Sequence, residues 1–192
     1  MEDTILYFGY GANRDPKMME WITGNPNLKG KPGVLKGFKL CVQRLDQIPD
    51  TVAEAVPVQV SPRKILSNNW PKTFTSYIIK EDSQSKVHGI VWELTLQERE
   101  LVRDWELIDF GWYKDIETKV TTEDGLEVSV QTEGLRDGQP IDREVNGKDY
   151  ETFLNPPEDF EKVATKSRQE FLEKQKVLEK ATTASGRNKE LS

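Results

Sequence analysis

The sequence predicts an α+β protein built mainly from antiparallel strands. Three observations carry that prediction: β-branched and aromatic residues recur in short alternating runs, polar turn residues separate neighbouring runs by hairpin distances, and helix start signals are few. With 192 residues the chain has room for one core and a trailing segment, but hardly for two full domains.

The first run, Thr4 to Phe8, is apolar and stops at Gly9-Tyr10-Gly11-Ala12-Asn13, which reads as a buried strand entering a glycine loop. Asp15-Pro16 then supplies a cap and a first-turn proline, Met18, Met19 and Ile22 give an apolar face, and Thr23-Gly24 ends a short helix. Strands are expected at 37–43 and 55–60. Residues 61–73, rich in Pro, Asn, Ser and Lys, read as a loop long enough to act as a lid. Residues 74–79 and 87–94 are expected to form a hairpin about Glu81-Asp82-Ser83-Gln84-Ser85.

Thr95-Leu96-Gln97-Glu98 matches a capping box, and Leu101, Val102 and Trp105 recur at helical spacing, so a helix is expected over 96–105 with Glu106 at its C-terminal end. A second hairpin is expected from 113–121 and 126–132, turned by Glu123-Asp124-Gly125. From Pro156-Pro157 the chain becomes densely charged and helix-forming, with a sparse stripe of Phe160, Ala164, Phe171 and Val177/Leu178. The expected organisation is a domain over 1–155, a charged helix over 156–181 and a disordered tail over 182–192.

Composition excludes several functions. A net charge of -6 disfavours a nucleic-acid backbone as partner. A single histidine, His88, and a single cysteine, Cys41, leave no cluster with zinc spacing, and both sit in strand-like runs where a structural role is the commoner one. No run approaches the roughly 18 apolar residues of a membrane span, and Met1-Glu2-Asp3 does not begin a signal sequence, so a cytoplasmic protein without membrane contact is expected. Any chemistry must fall to carboxylates, tyrosines and backbone amides. Of the five tryptophans, Trp21, Trp70, Trp92, Trp105 and Trp112, most read as core residues, with specificity determinants among them as the alternative.

A strand ending in a Gly-x-Gly turn before a helix exposes backbone amides toward an anion, although glycines also close ordinary turns of this kind. The loop lacks the Lys-Ser/Thr ending of a phosphate loop and the second half of a dinucleotide fingerprint. Glu106 has an equally ordinary alternative as a solvated helix-end glutamate. Held near Trp105, Trp112 and Tyr113 and near helix carbonyls, its pKa would instead be raised, which suits a proton-transferring group.

Tyr7-Phe8-Gly9-Tyr10-Gly11-Ala12-Asn13 resembles the Tyr-Gly-Ser-Asn loop that opens the gamma-glutamyl cyclotransferase family, which includes gamma-glutamylamine enzymes. Val87-His88-Gly89-Ile90-Val91-Trp92 resembles the family's glycine-bearing strand, Glu106 falls where its catalytic glutamate follows, and Gly111-Trp112-Tyr113 continues in step. The resemblance covers about residues 5–132. It implies a small mixed, mainly antiparallel β-barrel with peripheral helices, and release of 5-oxoproline from a gamma-glutamyl small molecule without a cofactor. Glu106 would be the catalytic base and acid; Tyr7, Phe8, Gly9, Tyr10, Gly11, Ala12, Asn13 and Tyr113 would bind substrate. Ala12 replaces the family's serine and Arg14 an apolar residue, while Tyr150 is a candidate for a tyrosine that some members contribute later in the chain. A non-catalytic binding or interaction protein on the same fold is the alternative.

Overall fold

The computed structural model describes residues 3–52 and 59–189, with side chains described as far as residue 180. The strands are Thr4–Gly9 (β1), Lys29–Arg44 (β2), Thr75–Thr95 (β3), Tyr113–Thr122 (β4), Glu127–Leu135 (β5) and Arg143–Glu144 (β6). The α-helices are Pro16–Thr23 (α1), Pro62–Asn69 (α2), Leu96–Trp105 (α3) and Pro157–Lys189 (α4). Strand order β3-β1-β5-β4-β2 closes through β3–β2 pairing into a five-stranded mixed barrel, and β6 adds to β2. All pairings are antiparallel except β1 with β5, where Tyr7 lies opposite Gln131.

Alternation along the strands divides the apolar residues between two cores. Phe8, Leu35, Leu40, Val87, Val120 and Val130 point one way and fill the barrel. Tyr7, Cys41, Ile78, Trp92 and Leu94 point the other way and meet the helices through Met18, Met19, Leu101, Phe160 and Ala164. Tyr7 and Phe8 are consecutive, so β1 separates the barrel interior from the layer beneath the helices. Arg168 of α4 donates to the carbonyls of Glu20 and Trp21 at 3.0 and 2.9 Å, satisfying the open C-terminal end of α1.

Both expected short helices form. Asp15 accepts from the amides of Lys17 and Met18, Pro16 opens α1 and Gly24 closes it at φ 80°; Thr95 and Glu98 make the capping box of α3.

Two expectations are corrected. Residues 61–73 are not a continuous loop, because Ser61 caps α2 by accepting from the Lys64 amide at 3.2 Å, and Leu66 and Trp70 are buried. The hairpin about 81–85 does not form, since both flanking runs pair with the 16-residue β2, Leu40 opposite Ile79 and Leu35 opposite Val87. Asp82 to Ser85 stand opposite Gly37 alone as a wide bulge, with Gly37 at φ 82°. Asp82 holds the extra residues by accepting from the Gln84 amide and the Ser85 hydroxyl at 3.0 and 2.9 Å. The expected strand at 55–60 lies for the most part outside the described residues.

Candidate functional site

The glycine loop after β1 winds into one 3-10 turn, Gly11–Arg14, which drives the Asn13 side chain inward. Two contacts fix that turn. The Asn13 carbonyl accepts from the Trp92 indole at 2.8 Å. Gly9 passes so close that a Cβ there would lie 2.5 Å from the same carbonyl oxygen. Glu106 arrives from α3: its amide still bonds to Val102 at 2.9 Å, and Leu107, at φ 51°, turns the chain sharply away. Such a left-handed residue costs about 1–2 kcal/mol, so packing must hold it, and Leu107 is buried.

The two halves meet through Asn13, whose Nδ2 donates to Glu106 Oε1 and to the Tyr7 hydroxyl, both at 2.7 Å. The Tyr7 hydroxyl in turn donates a hydrogen bond to Glu133 Oε1 at 2.6 Å. The result is a chain, Glu106–Asn13–Tyr7–Glu133, drawn from three separated segments. Glu106 is only 8% exposed and Glu133 only 2%. Burial, and then the neighbouring Glu133 charge, hold the Glu106 carboxyl well above the usual carboxylate range, against the Asn13 hydrogen bond and the Arg99 charge. Burial pushes Glu133 up to about 7, opposed by Arg99 and by the Tyr7 hydrogen bond. Burial also raises the Tyr7 phenol, which stays neutral and able to donate.

Both carboxylates open on a cavity of about 670 Å³, whose floor includes Tyr10, Gly11, Ala12, Asn13 and Tyr113. A cavity of this size holds a small molecule. Glu133 Oε2 is buried there without a hydrogen-bond partner. Tyr113 stacks on Trp112 at 4.2 Å between ring centres and donates to the Tyr77 carbonyl at 2.9 Å. Among the described residues no group of acidic, histidine or cysteine side chains is placed to hold a metal ion, and no helix is long and apolar enough to cross a membrane.

Comparison with solved structures decides the fold. A protein named gamma-glutamyl cyclotransferase superposes with a TM-score of 0.54 at 19% identity, over 92% of this chain and 87% of that chain. This chain has the gamma-glutamyl cyclotransferase fold. An uncharacterized protein from Homo sapiens gives a TM-score of 0.53 at 20% identity, over 73% of this chain and 70% of that one. No family sequence model matches the chain, and no curated protein sequence does.

On this cyclotransferase fold, Glu106, Tyr10, Gly11, Ala12, Asn13 and Tyr113 share the cavity, whereas Tyr7 acts from behind it through its hydroxyl. Phe8 is not brought there. Its ring packs in the barrel and its carbonyl accepts from Thr132 at 2.8 Å, while Gly9 serves the close approach of the loop. Tyr150 donates to the His88 carbonyl at 2.6 Å, stacks under Arg14 at 3.8 Å, and receives the Gly11 amide at 3.4 Å, so it braces the loop from the side away from Glu106. Cys41 is buried, with its thiol pushed up to about 11 by that burial.

Sequence reasoning missed Glu133 and Arg99. Arg99 is 1% exposed, donates to Gln131 and Asp115 at 3.0 Å each, and lies 5.0 Å from the Tyr7 ring centre. A signal for Glu133 existed. It falls in step with Gln131 on the strand face opposite Val130 and Thr132, one residue beyond the end expected for that strand.

Proposed function

We propose that this chain is a gamma-glutamyl cyclotransferase, releasing 5-oxoproline from a gamma-glutamyl amide with Glu106 as the proton-transferring group. The observation that carries this reading is a buried glutamate of raised pKa, fixed by Asn13 at 2.7 Å on the floor of an open cavity. The fold, shared with a protein named for that activity, supports it.

The substrate contains its own nucleophile, so the site must fold it and move protons. Glu106 takes a proton from the alpha-ammonium, and the freed amine attacks the gamma-carbonyl to close a five-membered ring. The protonated Glu106 then gives that proton to the departing nitrogen as the carbon–nitrogen bond breaks, and the second proton of the ring nitrogen passes by way of the restored carboxylate to the released amine, which leaves as an ammonium ion. The products are 5-oxoproline and an amine, and Glu106 returns to its carboxylate form. With its pKa raised by burial, the same side chain both accepts and returns a proton, a task worth about a hundred- to ten-thousand-fold. Holding the ring-closing geometry against Tyr10 to Asn13 and Tyr113 adds up to roughly 7–11 kcal/mol of barrier reduction. Glu133 lines the same cavity, and its charge helps keep the Glu106 pKa raised. The roles of Tyr7 and Gly9 are to hold Asn13, and Phe8 holds the strand.

The test is chromatographic detection of 5-oxoproline after incubation with gamma-glutamyl dipeptides, gamma-glutamylalkylamides and glutathione. Release from at least one member is expected. Saturable binding of these compounds with no 5-oxoproline from any of them would overturn the proposal in favour of a binding protein.

A further inference from the structure

The cavity continues well past the carboxylates, and its character changes as it does so. Above the floor it runs between α2, the end of α3 and α4, where Trp70, Phe74, Trp105, Phe110 and Phe160 line it. Trp70, Phe74, Trp105 and Phe160 form one continuous wall. Trp70 lies 4.8 Å from Phe74, 4.9 Å from Phe160 and 6.4 Å from Trp105, centre to centre. Trp105 and Phe110 are only half-buried, so aromatic surface is left facing the space.

Asn69, Asp104, Lys166 and Ser167 of this upper part already have partners, and Asn68 and Lys174 are exposed to solvent at its edge. Asn69 Oδ1 accepts from Lys166 at 3.1 Å, Ser167 bonds to Asp104 at 3.3 Å, and Lys166 faces Glu170 at 3.9 Å. A carboxylate or peptide group lodged among these rings would lose its water with little in return, whereas an apolar group gains by leaving water.

The reacting carbonyl must sit at Glu106, so whatever extends along the rings is the leaving group. Building on the cyclotransferase reading, we infer that the amine expelled by this enzyme carries an apolar, aryl-bearing group, and that the aromatic chamber selects for it over short polar amino acids and peptides. Trp70, Trp105 and Phe160 supply ring faces for stacking and edge contacts.

The test compares kcat/KM for gamma-glutamylphenylethylamide, gamma-glutamylethylamide and gamma-glutamylglycylglycine. The two alkylamides expel amines of similar basicity, so their ratio reports the chamber and not leaving-group chemistry. The phenylethylamide is expected to be favoured by about ten- to a hundred-fold. Trp70→Leu removes ring surface, and Val163→Glu places a carboxylate on the α4 wall at a half-buried position that tolerates it more readily. Each is expected to lower the ratio by about five-fold or more, with ethylamide turnover reporting that the variant is folded. Equal values for the two alkylamides, or a preference for glycylglycine, would overturn the inference and leave 5-oxoproline formation standing. If no amide releases 5-oxoproline, the cyclotransferase reading fails separately. Calorimetry with the same two alkylamides then decides the chamber, tighter phenylethylamide binding upholding it and equal affinity overturning it.

Discussion

Glu133→Gln keeps the size of a buried side chain and removes its proton-binding site, so it isolates what the second carboxyl does to stability. Burial holds Glu133 at about 7, against an ordinary value of 4.5. Between those values the folded protein binds more protons than the unfolded chain, and stability therefore falls as pH rises. The contribution of the protonated carboxyl is complete below 4.5 and lost as pH climbs through about 7. A gap of roughly two and a half pKa units corresponds to about 3 kcal/mol, shared with Glu106 because the two groups titrate together. Glutamine retains an oxygen to accept from Tyr7 but does not titrate. The variant should thus gain on the wild type by as much as about 3 kcal/mol between pH 4.5 and pH 8, less whatever part of the titration Glu106 carries. Urea unfolding of both proteins across that range measures the difference. Exposed carboxyls with lowered pKa, such as Glu127 and Glu144, are common to both and cancel. An offset between the two stability curves that stays constant with pH would refute the reasoning.

Further outcomes follow from the same site. Glu133→Gln should also move the acidic limb of kcat/KM to lower pH, because the Glu133 charge is the second cause, after burial, of the raised Glu106 pKa. Arg99→Met should move that limb the opposite way, since the guanidinium lowers both carboxyls; pH–rate profiles of the two variants check the pair of signs. Gly9→Ala sets a Cβ 2.5 Å from the Asn13 carbonyl oxygen, so the loop must shift, and kcat/KM should fall by about a hundred-fold while circular dichroism stays native. Phe160→Ala removes a ring packed against Trp70 and Phe153, and should cost about 3 kcal/mol or more by urea unfolding.

Local signals in the sequence are read correctly where the physics is local. Asp15-Pro16 and Thr95 to Glu98 specify helix starts through short-range hydrogen bonds, and both form as expected. The turn residues Asp82 to Ser85 do make a turn-like structure, but whether it closes a hairpin or a bulge depends on β2 being long enough to pair on both sides of it. That is a property of another part of the chain. Ser61-Pro62 likewise carries a helix start, obscured by the polar residues after it; α2 is anchored by burial of Leu66 and Trp70 against distant residues.

The candidate site divides in the same way. Glu106 and the loop were legible through resemblance, and their raised-pKa chemistry through the surrounding aromatics. The bonds that join them span 93 residues between Asn13 and Glu106 and 126 between Tyr7 and Glu133, and no local spacing encodes them. Arg99 illustrates the limit well. Within α3 it reads as a surface charge, and only the approach of Gln131 and Asp115 explains why it is buried.

Proton transfer by Glu106 is the step on which turnover depends, and Glu106→Gln removes it. Glutamine preserves shape and can still bond to Asn13, but cannot accept and return a proton. In this variant kcat for 5-oxoproline release is expected to fall by about a hundred- to ten-thousand-fold while substrate affinity by calorimetry is largely kept. Turnover within a few-fold of wild type in the folded variant would contradict Glu106 as the proton-transferring group.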